Sequence, residues 1–204
     1  MSSTDQTVHA YDLDAAAYAA NGATIPDSLR RRMEELSERL GAGARVLEIG
    51  SGGGRDARLM EQLGLRVRRT DITPAFVTLL RQEGHDADVL DPLTDDLVSP
   101  EGAYDAVWAN ASLLHVSRAD LPTVLARLAG ACRPDALLRM SVKDGDGEGW
   151  STHGSISRPR HFTYWRADAL REAVTGSGWG DVEIVHPPVG RHDEAWLEVS
   201  AVRT

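Results

Sequence analysis

The feature that most constrains the fold is the stretch RVLEIGSGGGRDARLM at residues 45–60, where four glycines separate a predicted strand from a predicted helix. These glycines occupy positions 50, 52, 53 and 54. A strand-to-helix turn needs about one glycine, so four of them indicate that a ligand approaches the backbone closely. The segment therefore predicts a ligand-binding loop at the carboxyl end of a strand.

Strand and helix patterns alternate along the rest of the chain. Helices are predicted over 26–40, 55–63, 74–82, 118–131 and 166–175, and strands over 44–50, 66–72, 86–90, 103–110, 136–143, 181–186 and 195–202. Such alternation is typical of βαβ units around a parallel sheet. The last two strands have no helix between them and are expected to form a hairpin with a long connection, PPVGRHDE. The predicted fold is α/β: a Rossmann-like, doubly wound, mostly parallel seven-stranded sheet with an antiparallel C-terminal hairpin strand and helices on both faces.

The length of the chain indicates how many domains it forms, and its net charge indicates which class of partner it binds. The 204 residues contain no repeat and no long linker, so a single domain over residues 1–204 is expected. The net charge of −9 opposes a nucleic-acid partner, and a small-molecule or peptide partner is expected instead. No apolar run approaches the roughly 18 residues that cross a bilayer, and the first residues do not resemble a secretion signal. These observations predict a cytoplasmic protein with no membrane partner, either a monomer or a homodimer.

The single cysteine, Cys132, is expected to pack in the interior rather than to react.

Two classes of ligand are compatible with the glycine loop. Read from Gly52, the residues Gly52, Gly54 and Ala57 match the GxGxxG/A fingerprint of dinucleotide-binding proteins, with Asp71 further on as the ribose acceptor. Read from Glu48, the pattern is ExGxGxG, and its carboxylate would repel a pyrophosphate. A ligand with an ammonium group and no phosphate would instead be attracted to Glu48. S-adenosylmethionine is such a ligand.

The ordered motifs carry a family resemblance over roughly residues 11–200. They are VLEIGSGGGRDA, RRTDITPAFV, DADVLDPL, YDAVWANASLLHV and LARLAGACRPDALLRMSV. In this order they resemble a class I S-adenosylmethionine-dependent methyltransferase of the small single-domain type. One departure is RPDA, where the family usually has a glycine in the turn. The resemblance implies N-terminal lid or cap helices over 1–40 and a cofactor-binding core over 41–204, with an acceptor loop at 141–165.

The resemblance also implies a set of cofactor-binding residues. Glu48 would organise the ammonium side, and Asp71 would accept both ribose hydroxyls, although it could instead cap the following helix. Asp88 and the Val89 backbone would read the adenine edge, with Asp91 as the alternative. The full implied set is Tyr18, Glu48, Gly50, Ser51, Gly52, Gly54, Arg55, Asp71, Ile72, Asp88, Val89 and Asn110.

Methyl transfer from a sulfonium is an in-line displacement, so the protein mainly aligns the reactants and excludes water. Tyr18, or secondly Tyr11, is expected to cover the sulfonium, the alternative being that both rings simply pack a helix against the sheet. A general base is needed only if the acceptor begins protonated. His115 is the candidate catalytic base, since histidine titrates near neutral pH, but it could instead orient its loop.

The segment of residues 141–170 combines glycines with aromatic and cationic side chains, which is typical of a lid over an acceptor. Lys143 and Arg160 are expected to hold an acidic group of the substrate, with Tyr164 as a third substrate-binding residue. Alternatively, the aromatic residues pack the next helix and the arginines are solvated. The acidic run DGDGEG lacks the other features of a calcium loop, and no metal is predicted.

Three functions remain in competition at this point. The leading one is transfer of a methyl group from S-adenosylmethionine to an oxygen or nitrogen of a small molecule or peptide. A non-catalytic cofactor-binding module is the alternative, and an NAD-dependent oxidoreductase is the third. Architecture does not distinguish among acceptors, because this kind of fold hosts many chemistries.

Overall fold

Helices and parallel strands alternate from the second helix to the third strand. The computed structural model describes residues 2–99, 101–154, 156–187 and 195–204. The helices are α1 (Ser3–Asn21), α2 (Asp27–Leu40), α3 (Arg55–Gln62), α4 (Pro74–Gln82), α5 (Leu121–Ala131) and α6 (Ala167–Thr175). The strands are β1 (Arg45–Ile49), β2 (Arg66–Asp71), β3 (Ala87–Val89), β4 (Tyr104–Asn110), β5 (Cys132–Asp144), β6 (Glu148–Ser151), β7 (Arg160–Trp165), β8 (Trp179–Val185) and β9 (Trp196–Arg203).

The sheet has the predicted doubly wound topology. The order β3-β2-β1-β4-β5 is parallel throughout, and β1 lies at its centre beside β2 and β4. β9 pairs antiparallel with β5, and β8 pairs antiparallel with β9, which confirms the C-terminal antiparallel pair. β1 is the first strand in the chain, and the later strands lie on both sides of it. The carboxyl ends of β1 and β4 therefore flank a topological switch point, which is where ligands bind in such sheets. The connection between β8 and β9 includes residues 188–194, which lie outside the described part of the chain.

The predicted count of seven strands is too low by two. β6 and β7 form an antiparallel hairpin inside the segment 141–165 that the sequence indicated as a loop, and β7 extends the sheet at the end of β5. The reason is that RHFTYW is rich in aromatic and β-branched residues, which favour a strand, and Phe162, Thr163 and Trp165 are buried while Tyr164 is half-buried. Gly145 and Gly147 adopt positive φ just before β6 and allow the chain to turn back.

Two apolar layers cover the two faces of the sheet. On one face α2 and α3 pack against β1 and β4, with Met33, Leu36 and Met60 fully buried. On the other face α5 and α6 cover β4, β5 and β9. The helix predicted over 26–40 therefore covers the sheet. No helix in the described part of the chain is long and apolar enough to cross a membrane.

The first helix lies across the carboxyl edge of the sheet, where the glycine loop is. α1 begins with a capping box between Ser2 and Asp5 and packs against α4 and β7. Thr7 accepts a hydrogen bond from the His161 amide at 3.0 Å, and Asp12 accepts one from the Ala75 amide at 2.8 Å. These bonds fix α1 over the ligand-binding edge.

Candidate cofactor and acceptor site

The glycines between β1 and α3 serve two different purposes. Gly50, Gly52 and Gly54 all have positive φ. A Cβ on Gly50 would lie 2.4 Å from Cβ of Ser112, and one on Gly53 would lie 2.7 Å from Cβ of Ala19. These two glycines therefore make room for the chain's own loop and lid helix. At Gly52 the nearest atom to a Cβ is in the Tyr18 ring at 3.7 Å, so this glycine is the one that faces open space.

Two cavities meet at this loop. The larger cavity lies under α1 and is open to solvent. Its volume is about 940 Å³, including the solvent space at its opening. It extends from the loop past the ends of β2 and β3 to the start of α5. The smaller lies between the loop and the end of β4 and includes Glu48, Asp56 and Asn110. The residues lining both are Tyr18, Gly50, Gly52 and Ala111. The two spaces together form one extended cleft.

Asp71 lies at the end of β2 and lines the larger cavity. Its two carboxylate oxygens accept hydrogen bonds from the Gly52 amide at 2.9 Å and the Thr73 amide at 2.8 Å. Burial raises the pKa of Asp71 above its ordinary value, although these two bonds oppose the shift. The side chain does not cap α4, whose N-cap residue is Thr73. Each oxygen retains a lone pair for a further donor.

Glu48 is 2% exposed at the end of β1, and Ser51 donates a short hydrogen bond to its carboxylate. Burial and the neighbouring carboxylate of Asp56 raise the pKa of Glu48 to about 8. Asp56 in turn accepts bonds from Trp108 Nε1 and Asn110 Nδ2, both at 3.0 Å. Two buried acidic side chains therefore lie side by side in the smaller cavity, and a bound cation would favour the ionised form of Glu48.

Sequence reasoning missed Asp56, although it stands in the first turn of α3 directly after the glycines. Arg55, which was predicted in this set, lies in the smaller cavity and donates to Asp56 at 2.7 Å. Gly54 is the left-handed N-cap of α3 and lines neither cavity. The sequence did contain a signal for Asp56, namely an acidic residue in the first turn of the helix that follows the glycine loop.

The prediction for the adenine side needs a correction. Asp88 forms an ion pair with Arg68 at 2.9 Å, and neither it nor the exposed Val89 lines the cleft. The cavity is instead lined by Asp91 and Leu90 together with the predicted Ile72. The reason is that β3 ends at Val89, so the residues just beyond it turn over the carboxyl edge. Asp91 was the alternative from the sequence.

Aromatic rings from α1 and α4 form a roof over the cleft. Tyr11 and Tyr18 meet edge to face with centroids 5.4 Å apart, and both rings contact Phe76. Both tyrosines line the larger cavity, and Tyr18 also lines the smaller one. The structure thus brings both candidate lid residues to the cleft, with Tyr18 nearer the glycine loop.

His115 is joined to Tyr11 by a hydrogen bond that sequence reasoning did not foresee. Its Nε2 lies 2.9 Å from Tyr11 Oη, and its Nδ1 lies 2.6 Å from the His161 carbonyl oxygen. A carbonyl oxygen only accepts, so Nδ1 carries the proton and Nε2 accepts from the tyrosine. Burial, reinforced by the charges of Arg160 and Lys143, lowers the pKa of His115 to about 4. The imidazole is therefore neutral at physiological pH.

The three predicted substrate-binding residues lie behind the cleft rather than in its wall. Arg160 and Lys143 are 3% and 7% exposed, and Tyr164 packs against Gly145. None of them lines either cavity. Arg160 still reaches the site, because its Nη1 donates to Tyr11 Oη at 3.2 Å. β7 is a strand rather than a loop and holds Arg160 and Tyr164 in the sheet, and Lys143 lies in the neighbouring β5.

Within the ranges that the structure describes, no three histidine, cysteine or acidic side chains are grouped as metal ligands. In the run DGDGEG, Asp144 and Asp146 form ion pairs with Arg166. Cys132 is buried, and burial raises the pKa of its thiol to about 12.

Comparison with known structures places this fold among methyltransferase-like proteins. The 1,6-didemethyltoxoflavin-N1-methyltransferase of Burkholderia thailandensis, solved with its acceptor and S-adenosylhomocysteine, matches with a TM-score of 0.71 and 22% identity. The match covers 97% of this chain and 88% of that one. The [4+2]-cyclase SpnF matches with a TM-score of 0.70 and 19% identity over 97% of this chain and 95% of its own. At these identities the likeness shows the fold alone.

Sequence comparison identifies the family. Residues 22–184 match the family model described as a methyltransferase domain, and the chain belongs to this family. A curated relative is the ubiquinone biosynthesis O-methyltransferase of Xanthomonas axonopodis pv. citri (strain 306), which is 33% identical over 117 residues. This alignment covers 54% of the chain and 48% of the relative. The chain thus spans about half the length of the curated relatives that it matches.

Proposed function

We propose that the protein transfers a methyl group from S-adenosylmethionine to an oxygen or nitrogen of a small molecule or peptide. One observation carries the proposal: the buried carboxylates of Glu48 and Asp71 flank Gly52, the glycine whose missing side chain leaves the cleft open. Membership of the methyltransferase-domain family supports it. Several relatives and structural neighbours are named as methyltransferases and provide further support.

The residues present fit this cofactor. A cationic ammonium next to Glu48 would stabilise the ionised carboxylate and so oppose the effect of burial, which raises the pKa of this group. Asp71 has free lone pairs for the two ribose hydroxyls, and Ile72 and Leu90 supply apolar surface for the adenine. Ser112 Oγ is buried at the cavity wall and has no hydrogen-bond partner among the described residues, and a ligand would satisfy it.

When bound, the cofactor supplies an activated methyl group with a neutral leaving group. The chain's own residues then have to orient the reactants and exclude water. The roof of Tyr11, Tyr18 and Phe76 closes the cleft from above. For an acceptor that begins protonated, the proposed route is from the acceptor to Tyr11 Oη as Tyr11 gives its own proton to Nε2 of His115, and the low pKa of His115 makes this pair a weak base that suits an acidic acceptor. His115 is thus proposed to act through Tyr11.

The names of the relatives and neighbours indicate the class of methyl acceptor only broadly. The neighbours include a methyltransferase solved with 1,6-didemethyltoxoflavin and a glycopeptide N-methyltransferase, so small molecules and peptides are both represented. SpnF is named as a cyclase. The alternative that this chain uses the fold without methyl transfer therefore stays open. An oxidoreductase is disfavoured because Glu48 and Asp56 would repel a pyrophosphate. A single domain over the whole chain, a cytoplasmic location and a monomer or homodimer stay predictions.

The test is calorimetric titration of the protein with S-adenosylhomocysteine, with NADH as the competing ligand. We expect micromolar binding of S-adenosylhomocysteine, lost in Asp71→Ala and retained in Asp88→Ala. The second variant is a matched control, because Asp88 lies in the neighbouring strand β3 but pairs with Arg68 outside the cleft. Binding of NADH in place of S-adenosylhomocysteine would refute the proposal. Tight binding without turnover on any acceptor would favour the cofactor-binding module.

A further inference from the structure

Arg160 is a buried cation without a counter-charge in the described part of the chain. The residue is 3% exposed, and its guanidinium lies between the rings of Tyr11 and Phe162, 5.4 and 5.2 Å from their centroids. Its hydrogen bonds go only to neutral oxygens: the Tyr11 hydroxyl and the carbonyls of His153 and Ile156. Its Nε has no partner. A buried charge is costly unless it is paired, so the free protein leaves Arg160 in need of an anion.

This charge lies one side chain away from the cleft. Tyr11 lines the larger cavity and accepts a hydrogen bond from Arg160 at 3.2 Å, so the cation acts on the cavity through the tyrosine. His115, which lies beside Tyr11, is neutral. Lys143 lies near the same Phe162 ring, with its Nζ 4.3 Å from the centroid, and His161 Nε2 lies 3.9 Å from Glu148 Oε2.

The carboxylates of the cleft are concentrated elsewhere. Glu48 and Asp56 lie in the smaller cavity, Asp71 follows β2 at the glycine loop, and Asp91 follows β3. Asp120, at the start of α5, accepts a hydrogen bond from the Ser117 hydroxyl at 2.6 Å. The cleft is therefore acidic on the side proposed for the cofactor and positive beside Tyr11.

We propose that the methyl acceptor is a small organic acid whose oxyanion, a carboxylate or an ionised phenol, binds beside Tyr11 and is held there by the charge of Arg160. The inference rests on the proposed function and names its substrate class. An oxyanion supplies the missing counter-charge, whereas an ammonium group at the same place would be repelled by Arg160. The chain therefore selects acids over amines.

The test measures the binding of four probes by calorimetry, with and without saturating S-adenosylhomocysteine. The probes are benzoate, 4-nitrophenolate, benzamide and benzylammonium, which share one aromatic ring and differ in charge. We expect at least one of the two anions to bind about ten-fold or more tightly than either benzamide or benzylammonium, the size of a charge interaction across one side chain. The stronger of the two anions distinguishes a carboxylate from a phenolate.

Two arginine variants locate the effect. Arg160→Gln keeps hydrogen-bonding groups and removes the charge, and we expect it to abolish the preference for anions while the affinity for S-adenosylhomocysteine stays unchanged. Arg158→Gln is the matched control, since its side chain is 53% exposed and lies 3.9 Å from Asp14. This control should retain the preference. Thermal unfolding checks that both variants are folded.

The proposal is overturned if the anions bind no more tightly than benzamide, if benzylammonium binds most tightly, or if no probe binds at millimolar concentration. It is also overturned if a folded Arg160→Gln keeps the preference for anions. The ranking in the wild-type protein needs no variant and decides the question even if Arg160→Gln fails to fold. Failure of S-adenosylhomocysteine to bind is a separate result that refutes the proposed function.

Discussion

Replacing Tyr11 with phenylalanine removes one oxygen atom that bridges two buried groups. That oxygen lies 2.9 Å from His115 Nε2 and 3.2 Å from Arg160 Nη1. In Tyr11→Phe both groups lose a partner, and each unsatisfied buried group costs about 1–3 kcal/mol. The phenyl ring retains the packing against Tyr18 and Phe76. We therefore expect the free energy of unfolding to fall by about 2–6 kcal/mol, the sum of two such losses.

Equilibrium unfolding in urea measures this change, and the matched control is Tyr18→Phe. Tyr18 lies in the same helix, and its hydroxyl makes no hydrogen bond within the described ranges. The control should change stability by less than about 0.5 kcal/mol, the usual range for a substitution that breaks no contact. A loss in Tyr11→Phe no larger than in the control would refute the bridging role of the hydroxyl. Once an acceptor is known, Tyr11→Phe should also lower its turnover by about 10²-fold if the acceptor begins protonated.

Three further predictions follow from the site. The pKa of Glu48 is raised to about 8, so the free protein should lose stability as the pH rises from about 4.5 to 8, and Glu48→Gln should lose less over that range. The pKa of His115 is lowered to about 4, so stability should fall as the pH drops from about 6.5 to 4, and less in His115→Gln. Gly53→Ala should weaken binding of S-adenosylhomocysteine by about ten-fold or more, because its Cβ would lie 2.7 Å from Cβ of Ala19 and push the lid helix away. Gly130→Ala, whose Cβ would meet no atom within 4 Å, should leave this binding unchanged.

Urea unfolding across pH checks the first two predictions, with each variant compared with the wild-type protein at every pH. Parallel curves for Glu48→Gln and wild type between pH 4.5 and 8 would contradict the raised pKa of Glu48, since the pH dependence comes from the proton that only the folded state retains there. Calorimetry with S-adenosylhomocysteine checks the glycine prediction. Equal affinities for Gly53→Ala and Gly130→Ala would show that α1 does not need its close approach to the loop.

The site residues on the ends of strands were largely predictable from the sequence. Glu48 and Asp71 follow from position alone, because the carboxyl ends of parallel strands meet at one edge of the sheet. Asp88 shows the limit of this reasoning: β3 is short, and the acidic residue that lines the cleft is Asp91, three residues further on. The hairpin of β6 and β7 was also missed, since its glycines resemble those of a loop.

The sequence by itself determined the doubly wound sheet, the glycine loop and the carboxylates at the strand ends, because local periodicity and turn chemistry specify each of them. Only the tertiary structure decided how the lid helix meets β7. Tyr11 is 104 residues from His115 and 149 from Arg160, and their hydrogen bonds depend on how α1 packs across the sheet edge. No local pattern encodes such contacts. They arise because packing brings distant polar groups together where burial makes each require a partner.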